Sequence, residues 1–95
     1  MIFHASNYTR VAAAQTDAQV LSEGTIKVFG VVCANTNSSA ETVTLEEADG
    51  TTVIQSIQVP ANDTVVVDIV FLAHKGLNVT TGATTTCTVY HSQVL

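Results

Sequence analysis

TVTLEEADGTTVIQSIQVPANDTVVVDIVF, running from Thr42 to Phe71, is the stretch whose reading decides the fold. It divides into three apolar-alternating runs separated by Asp49-Gly50 and by Pro60-Ala61-Asn62-Asp63. Asp-Gly between such runs is a strong hairpin cue, because glycine supplies the positive φ of a tight reversal. Val43 and Leu45 alternate with Thr42, Thr44 and Glu46, a period of two that puts one face inside and the other in water. A loop of Ala48-Asp49-Gly50, with Gly50 left-handed, sets Leu45 opposite Val53, and Ile57 and Val59 continue that face. Pro60 lacks the amide that a ladder needs and ends the strand. The second loop admits two registers. One turns Val66 and Val70 to the core, and the other turns Val65, Val67 and Ile69 there. The second is favoured because it points Asp68 outward, where its carboxylate stays hydrated.

Outward from this stretch, Thr25 to Asn35 (TIKVFGVVCAN) is the strongest single strand. Ile26, Val28, Val32 and Ala34 lie on one face, with Phe29, Val31 and Cys33 on the other. Apart from Lys27 neither face is polar, the pattern of a central strand covered twice. Gly30 in its middle marks a bulge or a close backbone approach. Gln19 to Ser22 is a short strand ended by a turn at Glu23-Gly24, and Leu72 to Lys75 is a connection. Leu77 and Val79 face inward on another short strand, and after a turn at Gly82 the last strand runs from Ala83 to His91. Tyr8 to Ala14 reads as either a strand or a short helix. No segment has helical periodicity. The expected architecture is all-β: a single small antiparallel β-sandwich, immunoglobulin-like or jelly-roll-like, of about seven strands. It occupies residues 19–95, and residues 1–18 form an N-terminal arm or edge strand.

The chain has 95 residues, of which 46% are hydrophobic and only 12% charged. That is too apolar for disorder, and more apolar than a lone domain of this size can readily bury. The surplus predicts contact with other chains. A net charge of −5 with three basic residues excludes nucleic acid and disfavours an anionic membrane surface. No apolar run approaches bilayer-spanning length. MIFHASNYTR carries no basic region followed by an apolar core, so synthesis in the cytoplasm without a secretory signal is expected.

Cys33 and Cys87 are the two cysteines. An immunoglobulin-like sandwich could bridge them across its sheets. The favoured reading is a pair of buried free thiols in Val/Thr-rich strands, as a reducing cytoplasm implies. His4, His74 and His91 share no ligand spacing, and neither cysteine has a CxxC partner, so no metal and no cofactor are expected. Glu46, Glu47 and Asp49 lack the spaced acidic pattern of a calcium loop and read as a solvated tip. Asn7, Asn37, Asn62 and Asn78 begin glycosylation-type triplets, expected by chance in a Thr-rich chain. No nucleophile elbow or phosphate loop occurs, and no enzyme is expected. Tyr90 and His91 suit either a partner contact or the closing of a sandwich edge.

Four segments together resemble small β-sandwich virion proteins of tailed bacteriophages, particularly marine and cyanobacterial ones. They are Gly24 to Asn35, Val43 to Gly50, VPANDTVVVD (Val59 to Asp68) and KGLNV (Lys75 to Val79). The resemblance implies a non-enzymatic capsid decoration or cement protein on the virion exterior. Its partner would be the major capsid protein, and it would form a homo-oligomer such as a trimer. A tail, neck or head-fibre component is the alternative, and a small carbohydrate-binding module a further one. The contacts expected on this reading are made by Ile2, Phe3, Tyr8 and Val11 of the arm, with Tyr90 and His91.

Overall fold

A computed structural model describes residues 7–94, with side chains through Ser92. Among the described residues nine strands follow one another: β1 (Asn7–Val11), β2 (Ala18–Leu21), β3 (Thr25–Asn35), β4 (Glu41–Glu46), β5 (Val53–Val59), β6 (Thr64–Val67), β7 (Phe71–Ala73), β8 (Leu77–Thr80) and β9 (Thr85–Val94). Their pairings nest, and all are antiparallel. β4 and β5 form the central hairpin, β3 pairs with β6 and β7 around it, β2 pairs with β8, and β1 pairs with β9 outermost. Successive pairs fall in alternate sheets, so the first sheet reads β1-β9-β3-β6, with β7 also on β3, and the second reads β2-β8-β4-β5. A long hairpin rolled up in this way is a jelly roll. Of the two sandwich types the sequence allowed, the immunoglobulin one is set aside.

Two more strands are present than the sequence suggested, and one reason is a break. Val31 pairs with Val67 and Val28 with Phe71, so three steps along β3 answer four along β6 and β7. These are one strand interrupted at Asp68, Ile69 and Val70. Val65 and Val67 pack against the core as expected, but the interruption leaves Ile69 exposed. The segment read as a connection from Leu72 therefore opens within β7.

A bulge in β3 corrects another expectation. Val28 pairs with His91 while Gly30 pairs with Tyr90, which leaves Phe29 as the extra residue. The inward parity switches there: Ile26 and Val28 are buried before the bulge, Val31, Cys33 and Asn35 after it. Val32 and Ala34 therefore lie on the outer face. The β4–β5 loop is also longer than expected. Asp49 Oδ1 accepts hydrogen bonds from the amides of Thr51 (2.8 Å) and Thr52 (2.9 Å), and Oδ2 accepts one from the Thr52 hydroxyl. The amide of Glu47 closes the loop on Thr52 O at 2.9 Å. Leu45 consequently pairs with Gln55, and Val53 opposes Glu46 on the exposed side of a register shift. Gly50 is left-handed, with φ 75°.

The core lies between the sheets, with Ile26, Val28 and Val31 of β3 and Val89 of β9 facing Val43, Leu45, Leu77 and Val79 of the second sheet. Gly76 sits where three segments converge. Its φ is +74°, and a Cβ there would lie 2.6 Å from Leu21 O and 2.7 Å from Ala48 Cβ. Its amide donates to Gly24 O at 2.8 Å. Replacing Leu77 by Ala is expected to cost about 2–5 kcal/mol of unfolding free energy in urea titrations. Gly76→Ala is expected to cost at least about 1–3 kcal/mol, from backbone strain alone. Leu72→Ala, on an exposed side chain, should stay within about 0.5 kcal/mol. Comparable losses at Leu72 and Leu77 would contradict this assignment of faces.

Candidate interaction surface

The described residues enclose no cleft for a small molecule, and no three His, Cys, Asp or Glu among them approach closely enough to hold a metal ion. What distinguishes the molecule is the difference between its two outer faces. Apart from Val53, exposed at the hairpin end of β5, the second sheet presents Thr42, Ser56 and Gln58, with the Thr42 hydroxyl donating to Gln58 Oε1 at 3.1 Å. This is the usual polar exterior of a sandwich. The first sheet is different. Tyr8 opposes Tyr90 across β1 and β9, their ring centroids 6.1 Å apart. Val32 pairs with Val66, and Lys27 pairs with Leu72 while its Nζ lies 5.2 Å from the Phe29 ring centroid. Tyr8 is 69% exposed, Val70 58%, Leu72 47% and Val66 46%. Arg10 pairs with Thr88 in the row beside the tyrosines, so two of the three basic residues lie on this sheet.

The edges differ as well. β5 and β6 end their respective sheets and are joined by the turn through Pro60 and Asp63. Neither strand carries a charged side chain. Charge on an edge strand is one of the means by which sandwiches avoid pairing with other chains. The flank formed by β1 and β2 has Arg10 and a register shift between Gln19 and Leu21.

Of the residues singled out from the sequence, Ile2 and Phe3 lie outside the described residues. Tyr8 and Tyr90 come together on the outer face. Val11 does not join them: it pairs with Cys87 on the inner face and is a core residue at 5% exposure. His91, one position from Tyr90, points the opposite way. Its Nε2 is 2.9 Å from Thr9 Oγ1, and its buried Nδ1 has no hydrogen-bond partner. Burial pushes its pKa below the usual imidazole value. The apolar residues of β6 and β7 were missed as surface because a four-valine rhythm broken by one aspartate does not reveal a strand interruption.

At one end of the sandwich a polar clasp joins the sheets. Glu41 Oε1 accepts hydrogen bonds from the Thr85 hydroxyl, the Thr84 amide (3.0 Å) and the Thr84 hydroxyl (3.1 Å), and Asn37 donates to Oε2. The Thr85 hydroxyl first, then the Thr84 amide, hold this carboxyl below the usual carboxylate range. A Cβ on Gly82 would intrude on Glu41, so glycine leaves its carboxylate room. Buried Asn35 donates to Ser39 O (2.9 Å) and accepts from the Asn37 amide (2.8 Å) and the Thr84 hydroxyl (3.0 Å). At the hairpin tip, the Thr52 and Thr51 amides draw the Asp49 carboxyl down to about 2. Its oxygens are occupied by the turn, which makes it a loop-forming group.

No protein-family model and no curated protein matches the sequence. Among solved structures, the fold is similar to a chain of the Bacillus endospore appendages, described as a novel family of disulfide-linked pili. The TM-score is 0.54 at 12% identity, covering 94% of this chain and 87% of that one. PirA aligns with a TM-score of 0.36 at 17% identity over 97% of both chains, too low a score to carry an argument. The first of these supports a common fold. That chain is a pilus component, and no sequence match supports a phage protein, so the resemblance to phage decoration proteins is corrected accordingly. The segments that carried it are turn residues such as Gly24, Asp49 and Gly50 with valine alternation around them, which a jelly roll needs whatever its role.

His91, Glu41 and Asp49 are all lowered in the folded chain, so the unfolded chain binds more protons than the native one as the solution is acidified. Stability should therefore fall with pH below about 6.5 as His91 becomes protonated in the unfolded state. It should fall again below about 4.5 as the two carboxylates do. Urea titrations across this range should show both declines, with Glu41→Gln flattening the lower one. A stability that rises on acidification would contradict these environments.

Proposed function

We propose that the chain is a non-catalytic structural subunit that works by self-association, through the outer face of its first sheet and the uncharged flank of β5 and β6. The observation that carries this reading is the apolar band of Tyr8, Tyr90, Phe29, Val32, Val66 and Leu72, set against a polar exterior on the second sheet. A patch of this kind on a small domain marks an interaction site. The occupant proposed is a second copy. Arg10 and Lys27 on the first sheet are complemented by a net charge of −5 over the whole chain, with Asp17 lying beside Gly50 at the hairpin tip that Glu47 and Asp49 flank. Different surfaces meeting in this way form a head-to-tail contact, which closes a ring or extends into a filament. The shared fold with an endospore appendage chain supports an extracellular polymer as the setting.

Sedimentation velocity and light scattering of the purified chain should show species larger than the monomer, growing with concentration. Val66→Lys combined with Leu72→Lys should return it to a monomer with its β-sheet circular dichroism intact. A native chain that stays monomeric at high concentration, or a double variant that assembles like the native chain, would overturn the reading.

A further inference from the structure

The two cysteines have no part in the proposed surface. Cys33 and Cys87 are directly opposed on β3 and β9, both fully buried and both free, with their Sγ atoms 3.7 Å apart. They are buried free thiols, the reading the sequence favoured, and they lie within one sheet, which sets aside the alternative of a bridge across two. Directly opposed residues of an antiparallel pair have Cα atoms about 4.5 or 5.5 Å apart, and both values lie inside the range that a disulfide spans. Closing the sulfurs to about 2.05 Å is a matter of side-chain rotation and a small backbone adjustment. These are the chain's two cysteines, so neither has an alternative partner within it. Neither reaches the surface, which separates this arrangement from one that would link folded subunits.

We propose that Cys33 and Cys87 form an oxidative modification site, closing as an intrachain disulfide across β3 and β9 when the chain folds in a medium containing a small-molecule disulfide. One cysteine thiolate attacks a sulfur of the oxidant, forming a mixed disulfide and expelling one small thiolate. The other cysteine then attacks the protein sulfur of that mixed disulfide and expels the second. The protein loses two protons and two electrons, and the oxidant is reduced to two thiols. The reaction belongs to folding because the finished sandwich opposes it: both sulfurs are fully buried, out of reach of an oxidant in solution, and the contact that favours a thiolate on Cys33 pushes the Cys87 thiol up. Once formed, the bond is shielded by the same packing.

The test is to refold the fully reduced chain in a glutathione and glutathione-disulfide buffer, then alkylate in denaturant and read intact mass and linked peptides. The expected product is a single chain, not linked to another, with neither cysteine alkylated and a peptide joining Cys33 to Cys87. Its thermal midpoint should exceed that of the reduced chain by roughly 10 °C or more. A Cys33→Ala/Cys87→Ala variant should show no such redox-dependent shift. Recovery of two alkylated cysteines per chain, or of disulfide-linked dimers in place of the intrachain bond, would overturn the proposal. Should the double variant not fold, the mass measurement on the native sequence decides alone. That reading is taken on denatured chains, so its outcome is independent of whether the folded protein self-associates.

Discussion

The pairing of β3 with β9 is the constraint on which the rest of this structure depends. The two strands face each other from Thr25 and Val94 at one end to Asn35 and Thr85 at the other. β1 attaches to the free side of β9, and β6 and β7 attach to the free side of β3. The register between them also decides which residues are inside. With Phe29 as an extra residue, valines on both sides of the bulge reach the same core although their spacing in sequence is out of phase. Without that single unpaired position, one half of β3 would turn its apolar side chains outward.

Much of this was legible in the chain, and the failures share one cause. The bounds of β3, the left-handed Gly50, the inward Leu77 and Val79, and the alternation of Cys87 and Val89 all follow from local rules of side-chain period and turn chemistry. Gly30 announced a bulge, but a glycine does not say which neighbour becomes the extra residue, and the choice of Phe29 reversed the faces of Val32 and Ala34. The longer β4–β5 loop came from Asp49 binding two amides ahead of it, a competition that a hairpin rule based on Asp-Gly alone does not weigh. Val11 looked like part of an arm because its surroundings are small and polar. Its pairing with Cys87 is a contact made across most of the chain, and no local pattern encodes it.

The candidate surface was less legible than the fold. Surplus hydrophobicity predicted that some apolar side chains would remain outside, and Tyr8 was singled out among them. The sequence could not separate core from exterior on a strand that is apolar on both sides, since either face satisfies the pattern. Only the nested pairing settles that the first sheet carries the uncovered face and the second sheet the hydrated one. The phage-like motifs misled for a related reason. They record how the chain reverses direction, and many jelly rolls reverse in the same way while serving unrelated ends.

The nesting of strand pairs also sets an order of assembly in time. Val43 and Ile57, in the central hairpin, are close neighbours along the chain, whereas Thr9 and His91 meet across a separation of 82 positions. Loops that close over so many residues carry a larger entropic cost, and folds dominated by them form slowly. On that ground the hairpin is expected to form first and β1 to seat last. Until it does, the flank of β9 stands open in the newly made chain, and that interval is when a neighbouring polypeptide competes for the vacancy.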